Sequence, residues 1–382
     1  MRIDGPWRRD AGVQRFLAAL SEAGHRGLFV GGCVRNAALG APVDDIDIAT
    51  DAAPECTVEI AEAVGFKVVP TGIKHGTITV IAEGRPLEVT TFRRDIETDG
   101  RHATVAFSTD VAEDAARRDF TMNALYAEAD GTVVDPLGGL PDLRARRVRF
   151  VGDPGARIVE DYLRILRYFR FHAWYGDPAE GIDAEALAAC ADLAEGIERL
   201  SAERIGKEML KLLGAADPAP SAAAMEHAGI LGRVLPGAST AMVAPLVHLE
   251  ELVSVAPDAL RRLAAVGGED VADRLRLSKK QSARLARLQS GIGDESGLAE
   301  LAWRHGRDQA QDIALLRAAH FSAPLPADMN EKLDLGAEAI FPVRGADLKG
   351  RFEGPEIGCQ LEVLEQRWIA SGFTLSREDL LD

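Results

Sequence analysis

Aromatic residues make up only 5% of this 382-residue chain, and cysteine occurs four times. Cys33, Cys56, Cys190 and Cys359 are far apart and form neither a CxxC pair nor a Cys/His cluster, which excludes a zinc ribbon and a disulfide framework. Reduced thiols in a cytoplasm are expected. No apolar run approaches the roughly 20 residues needed to span a bilayer. The opening Met1-Arg2-Ile3-Asp4-Gly5-Pro6 has no apolar stretch behind its charge, so neither membrane insertion nor secretion is expected. Positive charge is scarce too: 44 Lys and Arg stand against 60 Asp and Glu, a net charge of −16, where a nucleic-acid binder is ordinarily basic. The balance reverses locally, because residues 141–174 carry eight Arg against four Asp or Glu, or +4. A basic stripe on an acidic body can steer a polyanion.

What is present is an ordinary globular composition, 47% hydrophobic and 27% charged, at a length that calls for several domains. Residues 12–23 repeat apolar positions at helical spacing, and Leu28-Phe29-Val30 reads as a buried strand ending at Gly31-Gly32. A helix over about 34–39, a strand at Ile46-Asp47-Ile48 and a helix over 54–64 opened by Pro54 follow. Two β-rich runs, 76–82 and 87–92, flank the turn chemistry of Glu83-Gly84-Arg85-Pro86. Residues 93–110 are polar and interrupted by Gly100, which predicts an exposed flexible loop. Beyond about Ala156 strand signals give way to Ala, Leu, Glu and Arg at helical spacing, so an α/β first third leads into a helical body.

The chemistry concentrates near the N-terminal strand. Asp45 and Asp47 stand at i and i+2, so on a strand they share a face and can hold a divalent ion jointly, whereas Asp44 points the other way. The Gly31-Gly32 loop lets backbone N–H groups approach phosphates, and Arg35 adds a bidentate cation at the helix start. Glu88, on a predicted neighbouring strand, is a third candidate carboxylate. Each piece has a plainer reading: Asp-x-Asp is commoner as a solvated turn, Gly-Gly as simple turn chemistry, and Glu88 reads almost equally well as an outward-facing strand residue.

Taken in order, the motifs are specific. Gly31-Gly32-Cys33-Val34-Arg35-Asn36-Ala37-Ala38-Leu39-Gly40 followed by Asp45-Ile46-Asp47-Ile48-Ala49-Thr50 resembles the head motif of class II tRNA CCA nucleotidyltransferases and bacterial poly(A) polymerases. That resemblance implies an α+β fold: a polymerase-β-like head with a mixed or antiparallel sheet, then an all-helical neck, body and tail. The corresponding divisions are 1–140, 141–215, 216–335 and 336–382. It implies Mg²⁺, as two ions, on Asp45 and Asp47, with Glu88 in the catalytic set and Gly32 and Arg35 on the nucleotide. One departure is Asn36, where the family usually has Asp. Arg117-Arg118-Asp119-Phe120-Thr121-Met122-Asn123-Ala124 resembles the second motif, which implies that Arg118 meets the incoming triphosphate and Asp119 its ribose. On the residues alone, a capped helix start with a surface Arg pair is the simpler reading. Asp135-Pro136-Leu137-Gly138-Gly139 resembles the structural third motif, and Ser201-Ala202-Glu203-Arg204-Ile205-Gly206 the fifth, in which Glu203 and Arg204 brace a helix.

Asp161, Arg164, Arg167 and Arg170 recur every three residues, so they neighbour one another along a helical ridge while Leu163, Leu166 and Phe169 pack inward. As structure this is a salt-bridged face. The resemblance implies that Asp161 and Arg164 select ATP and CTP through hydrogen bonds that mimic base pairing, with Arg167 and Arg170 reaching phosphate. Cytosine and adenine both offer an exocyclic amino donor beside a ring acceptor, so one acceptor and one donor serve both.

The implied activity is template-independent addition of C, C and A to the 3′ end of tRNA. Rival readings are a poly(A) polymerase and an enzyme adding only CC or only A, with a non-catalytic tRNA-binding protein in a separate class. Lys74-His75-Gly76-Thr77-Ile78-Thr79-Val80 and Glu88-Val89-Thr90-Thr91-Phe92-Arg93 resemble the CCA branch, and the 93–101 segment matches the head loop that full addition requires. The tRNA 3′ end, ATP and CTP are the expected partners, with no membrane and no DNA. Arg261, Arg262, Lys279 and Lys280 are basic residues of the middle helices with no assigned role.

Overall fold

Asp10 opens helix α1 (Ala11–Glu22), its carboxylate accepting from Val13 N at 3.2 Å in the N-cap arrangement. Val13, Phe16, Leu17 and Leu20 recur on one face of α1 and are buried. The structure, a computed structural model, describes every residue except Thr71, Lys74, His75, Gly100 and Arg101, and gives the backbone alone for 95–99 and 102–105. The Lys74-His75 part of the CCA-branch run and the Gly100-Arg101 part of the head loop lie outside the described residues. Two compact units form, one from 1–238 with 268–276, the other from 239–267 with 277–382.

The first unit carries the strands β1 (Gly27–Val30), β2 (Asp47–Thr50), β3 (Lys67–Val69), β4 (Thr77–Ala82), β5 (Arg85–Thr91), β6 (Arg93–Asp99), β7 (His102–Phe107), β8 (Tyr126–Ala127) and β9 (Val133–Val134). Seven of them make one sheet in the order β3-β4-β5-β2-β1-β8-β9. All its pairings are antiparallel except β2 with β5, where Asp47 stands beside Glu88 and Ile48 beside Val89. Helices α2 (Gly32–Leu39), α3 (Pro54–Ala63) and α4 (Val111–Ala116) accompany this sheet. Leu28, Val30, Ala49, Phe92, Ala124 and Tyr126 form a buried cluster on it, held by the removal of apolar surface from water.

Polarity misled the reading of residues 93–110. They contain a two-stranded antiparallel hairpin, β6 with β7, with a register shift between Asp95 and Glu97, and β-branched Ile96, Thr98, Thr104 and Val105 give the segment strand propensity. The β4–β5 turn tightens to Glu83-Gly84, both at positive φ, as a two-residue hairpin loop requires.

After α5 (Leu140–Arg144) the unit is helical: α6 (Pro154–Glu160), α7 (Leu163–Tyr175), α8 (Ala184–Asp192) and α9 (Ala202–Leu213). Four aromatics, Phe120, Phe150, Tyr168 and Phe171, gather where these helices meet the sheet domain. Phe120 and Phe150 lie 5.0 Å apart between centroids, Phe150 stacks on Tyr168 at 5.4 Å, and Phe120 meets Phe171 at 4.9 Å. That cluster fixes α7 against the 117–125 segment, supplying packing beyond simple burial.

The second unit is all helix among its described elements apart from an isolated bridge, Lys349 with Phe352. Arg261 and Arg262, read from sequence as basic residues of middle helices, are only 2% and 1% exposed. Arg261 reaches Glu250 and Asp312, each at 2.7 Å, and Arg262 reaches Glu250 at 2.7 Å. Helical periodicity turned these cations inward, where each found a carboxylate. Lys279 and Lys280 are exposed at the start of their helix.

Candidate active site

Gly31 sits at φ 69°, ψ −120° ahead of α2, in the region that side chains disfavour. A Cβ there would also come within 3.4 Å of Arg118 Nη1. No side chain caps α2, which leaves the N–H groups of its first turn, from Gly32 onward, and the positive end of its dipole for an outside anion. Arg118 stands beside this turn. It pairs with Asp114 at 2.8 Å and donates to the Tyr126 hydroxyl at 3.0 Å, and that hydroxyl donates to Asp114 at 2.6 Å. Burial works to raise the Asp114 carboxyl, but Arg118 and the Tyr126 hydrogen bond carry it below its ordinary value.

Asp47 opens β2, and Glu88 occupies the same register on β5. Asp45 lies two residues before the strand begins, exposed rather than on the strand as the sequence reading had it. Burial, then the charges of Glu88 and Asp45, push the Asp47 carboxyl up to about 6 against the opposing pull of Arg118. These groups therefore share one electrostatic neighbourhood. Among the described residues no three His, Cys, Asp or Glu side chains gather closely enough to hold a metal ion, so the carboxylates interact without closing on a point. Cys33, beneath them, is buried, and that burial pushes its thiol up to about 11, which makes it inert.

Arg35 departs from its expected place as an open cation at the helix start. It is 7% exposed, donates to Asn123 Oδ1 at 2.5 Å and to the Tyr175 hydroxyl at 2.7 Å, and lies 4.0 Å from the Tyr175 ring centroid. Asn36 Oδ1 accepts from the same guanidinium. The reason is the helical period: the third residue past Gly32 points back toward α7, not outward. From Asn123 the network runs on, its Nδ2 donating to Asp119 Oδ1 at 2.8 Å, while Arg167 Nε and Nη2 reach Asp119 Oδ2 at 2.8 and 2.5 Å. Asp119 also accepts from Phe120 N at 2.9 Å. Both of its oxygens are engaged inside the protein.

The 161–170 ridge is broken. α6 ends at Glu160, Asp161 is extended at φ −156°, ψ 104°, and α7 begins at Leu163, so Asp161 lies before the helix that carries the three arginines. Tyr162 fixes the break by lying on Gly196, where a Cβ would fall 1.8 Å from the ring. Asp161 accepts from Leu163 N at 3.1 Å and from Arg204 Nη2 at 2.7 Å. Arg164 pairs with Glu160 and donates to the Arg157 carbonyl at 2.7 Å. Arg170 reaches Glu208 at 2.5 Å and lies 4.4 Å from the Phe171 ring centroid. Each arginine thus has a carboxylate from off the ridge, as the salt-bridged reading requires. Sequence reasoning missed Tyr175 and Glu208, which are distant along the chain from Arg35 and Arg170, and Asn123 and Tyr126, which meet Asp119 and Arg118 through an irregular segment that has no period to read. Glu160 and Asp114 carried a local signal in their i, i+4 spacing to Arg164 and Arg118.

A mixed sheet with carboxylates on its one parallel strand pair, beside an uncapped Gly-Gly helix start and a paired arginine, defines a polymerase-β-like nucleotidyltransferase. Residues 28–149 match the poly A polymerase head domain, and 181–242 match the family described as a probable RNA and SrmB- binding site of polymerase A. The human mitochondrial CCA tRNA nucleotidyltransferase 1 is 33% identical over 97% of this chain and 89% of its own length. The CCA-adding enzyme of Lacticaseibacillus paracasei is 32% identical over 96% and 93%. The crystal structure of the Bacillus stearothermophilus CCA-adding enzyme in complex with CTP superposes with a TM-score of 0.73 at 28% identity, covering 96% of this chain and 94% of that one. The chain belongs to the family of CCA-adding enzymes, the CCA tRNA nucleotidyltransferases.

No helix among the described residues is long and apolar enough to cross a membrane.

Proposed function

We propose that this chain adds C, C and A to the 3′ end of tRNA from CTP and ATP, the RNA 3′-hydroxyl attacking the α-phosphate and pyrophosphate leaving. The observation that carries the reading is Asp47 standing in register with Glu88 on the one parallel strand pair, beside the Gly31 turn and Arg118, where burial first and then the charges of Glu88 and Asp45 raise its carboxyl. Hard oxygen donors in mutual repulsion suit Mg²⁺, with Asp45 and Asp47 holding it as two ions and Glu88 beside them. Bound there, magnesium supplies charge neutralisation at the triphosphate and a lower pKa for the attacking hydroxyl.

In this reading the α2 turn at Gly32 and Arg118 receive the triphosphate, and Arg35 acts by holding α2 to α7. Asp119 and Arg167 form one internal pair behind the ribose side. Asp161, steadied by Arg204, accepts from the base amino group, and Arg164 donates to the ring nitrogen. Guanine and uracil turn a carbonyl toward Asp161 and are refused, because two acceptors then face each other with no hydrogen between them. Arg170 braces α7 through Glu208.

Residues 1–140 serve as head, 141–215 as neck, 216–335 as body and 336–382 as tail, in a cytoplasmic setting that four free thiols favour. Arg144, Arg146 and Arg147 are exposed and have no carboxylate partner among the described residues, and they are the RNA-phosphate contacts we assign. The test is incubation of the purified chain with tRNA lacking its last three nucleotides, labelled CTP or ATP, and Mg²⁺. Incorporation of both labels, stopping after three residues, is expected. No incorporation refutes the reading, and long A tails on unrelated RNA assign polyadenylation instead.

A further inference from the structure

The two sides of the Asn36 carboxamide face unlike partners. Its Oδ1 accepts from Arg35 Nε at 3.1 Å and Nη2 at 2.9 Å, and its Nδ2 donates to the Pro42 carbonyl at 2.8 Å. A guanidinium only donates and a carbonyl only accepts, so these neighbours fix which way the amide points. The backbone of the same residue holds the other side of the turn, Asn36 O accepting from Ala41 N at 2.9 Å just after Gly40, which adopts the left-handed conformation. Downstream the chain is next held where Glu88 N donates to Ile46 O at 3.2 Å. Between these anchors lie Val43, Asp44 and Asp45. Asp45 thus hangs on a short span, tied on one side to the Asn36 amide and on the other to β5.

We infer that Asn36 is a positioning residue for Asp45: its N–H to the Pro42 carbonyl sets where this span leaves α2, and so how Asp45 approaches Asp47 and Glu88. The inference rests on the function proposed above, in which Asp45 holds the metal. An aspartate here keeps the acceptor for Arg35 but sets an oxygen lone pair against the Pro42 carbonyl. Two acceptors at that distance repel, and the turn opens. Asparagine at this position is a tether that the aspartate usual in the resembling family is unable to make.

Asn36→Asp in the full chain separates the tether from packing, since the introduced carboxylate still receives Arg35. In the metal-free protein, amide exchange at Ala41, whose N–H donates to Asn36 O within the tethered turn, is expected to quicken about tenfold, roughly the factor one hydrogen bond supplies. Mn²⁺ binding followed by electron paramagnetic resonance weakens by a similar factor, while the melting temperature does not fall. Asn36→Ala, which removes donor and acceptor together, gives the same loosened span and a lower melting temperature. Wild-type exchange at Ala41 in Asn36→Asp overturns the inference, and so does faster exchange with unchanged Mn²⁺ binding. CTP incorporation by the unmutated chain is read separately: its absence refutes the proposed function, whereas the exchange and Mn²⁺ comparisons judge the tether without turnover.

Discussion

Replacing Asp47 by asparagine trades activity for stability, with a sign fixed by the electrostatics. The carboxyl sits at about 6 in the folded, metal-free protein instead of its ordinary 3.8, through burial and the neighbouring Glu88 and Asp45. A raised folded-state value means that the native state holds the proton more tightly than the unfolded chain. Native stability is therefore greatest below the unfolded value and falls as pH rises from about 3.8 through about 6. Once ionised, Asp47 costs the fold about 1 to 3 kcal/mol, the lower figure allowing for water that reaches the half-buried carboxylate. The Asp47→Asn substitution removes that cost, so in EDTA at pH 8 the variant should be the more stable protein by this amount, whereas near pH 4 the two should converge. All four tyrosines, Tyr126, Tyr162, Tyr168 and Tyr175, lie in the first unit, so urea unfolding followed by tyrosine absorbance reports on that unit. A variant no more stable than the parent at pH 8, or equally stabilised at both pH values, refutes the reasoning. Nucleotide incorporation by the Asp47→Asn variant should be lost.

Glu250→Ala leaves Arg261 without one of its two carboxylates and removes the Glu250 bridge of Arg262, so a loss of about 3 to 5 kcal/mol is expected from calorimetry of the second unit. Arg204→Ala frees the Asp161 oxygen it holds. Discrimination of CTP and ATP against UTP and GTP should fall by about tenfold, as for a lost charge-assisted hydrogen bond, and unchanged discrimination would show that Arg204 does not position Asp161. Replacing Arg144, Arg146 and Arg147 together by Ala should weaken tRNA binding and flatten its dependence on salt by about one to two logarithmic units of slope. Fluorescence anisotropy across a salt series measures this, and an unaltered slope removes these residues from the RNA interface.

Sequence periodicity was enough to read α1, the β1 strand before Gly31-Gly32, the β4–β5 hairpin and the helical remainder, because hydrophobic spacing is a local property of the chain. The ordered motifs likewise carried the family. Strand assignment failed at β6 and β7, where charged residues concealed strand propensity, and helix assignment failed at Asp161, where the break depends on Tyr162 meeting the distant Gly196. Tertiary structure alone gave Arg35 its partners Tyr175 and Asn123, gave Asp119 to Arg167, and placed Glu88 in register with Asp47. Local spacing tells a side chain which face of its own element it occupies. Which partner waits on that face, and so whether a charge is buried, paired or raised in pKa, is decided by segments that meet only when the chain folds.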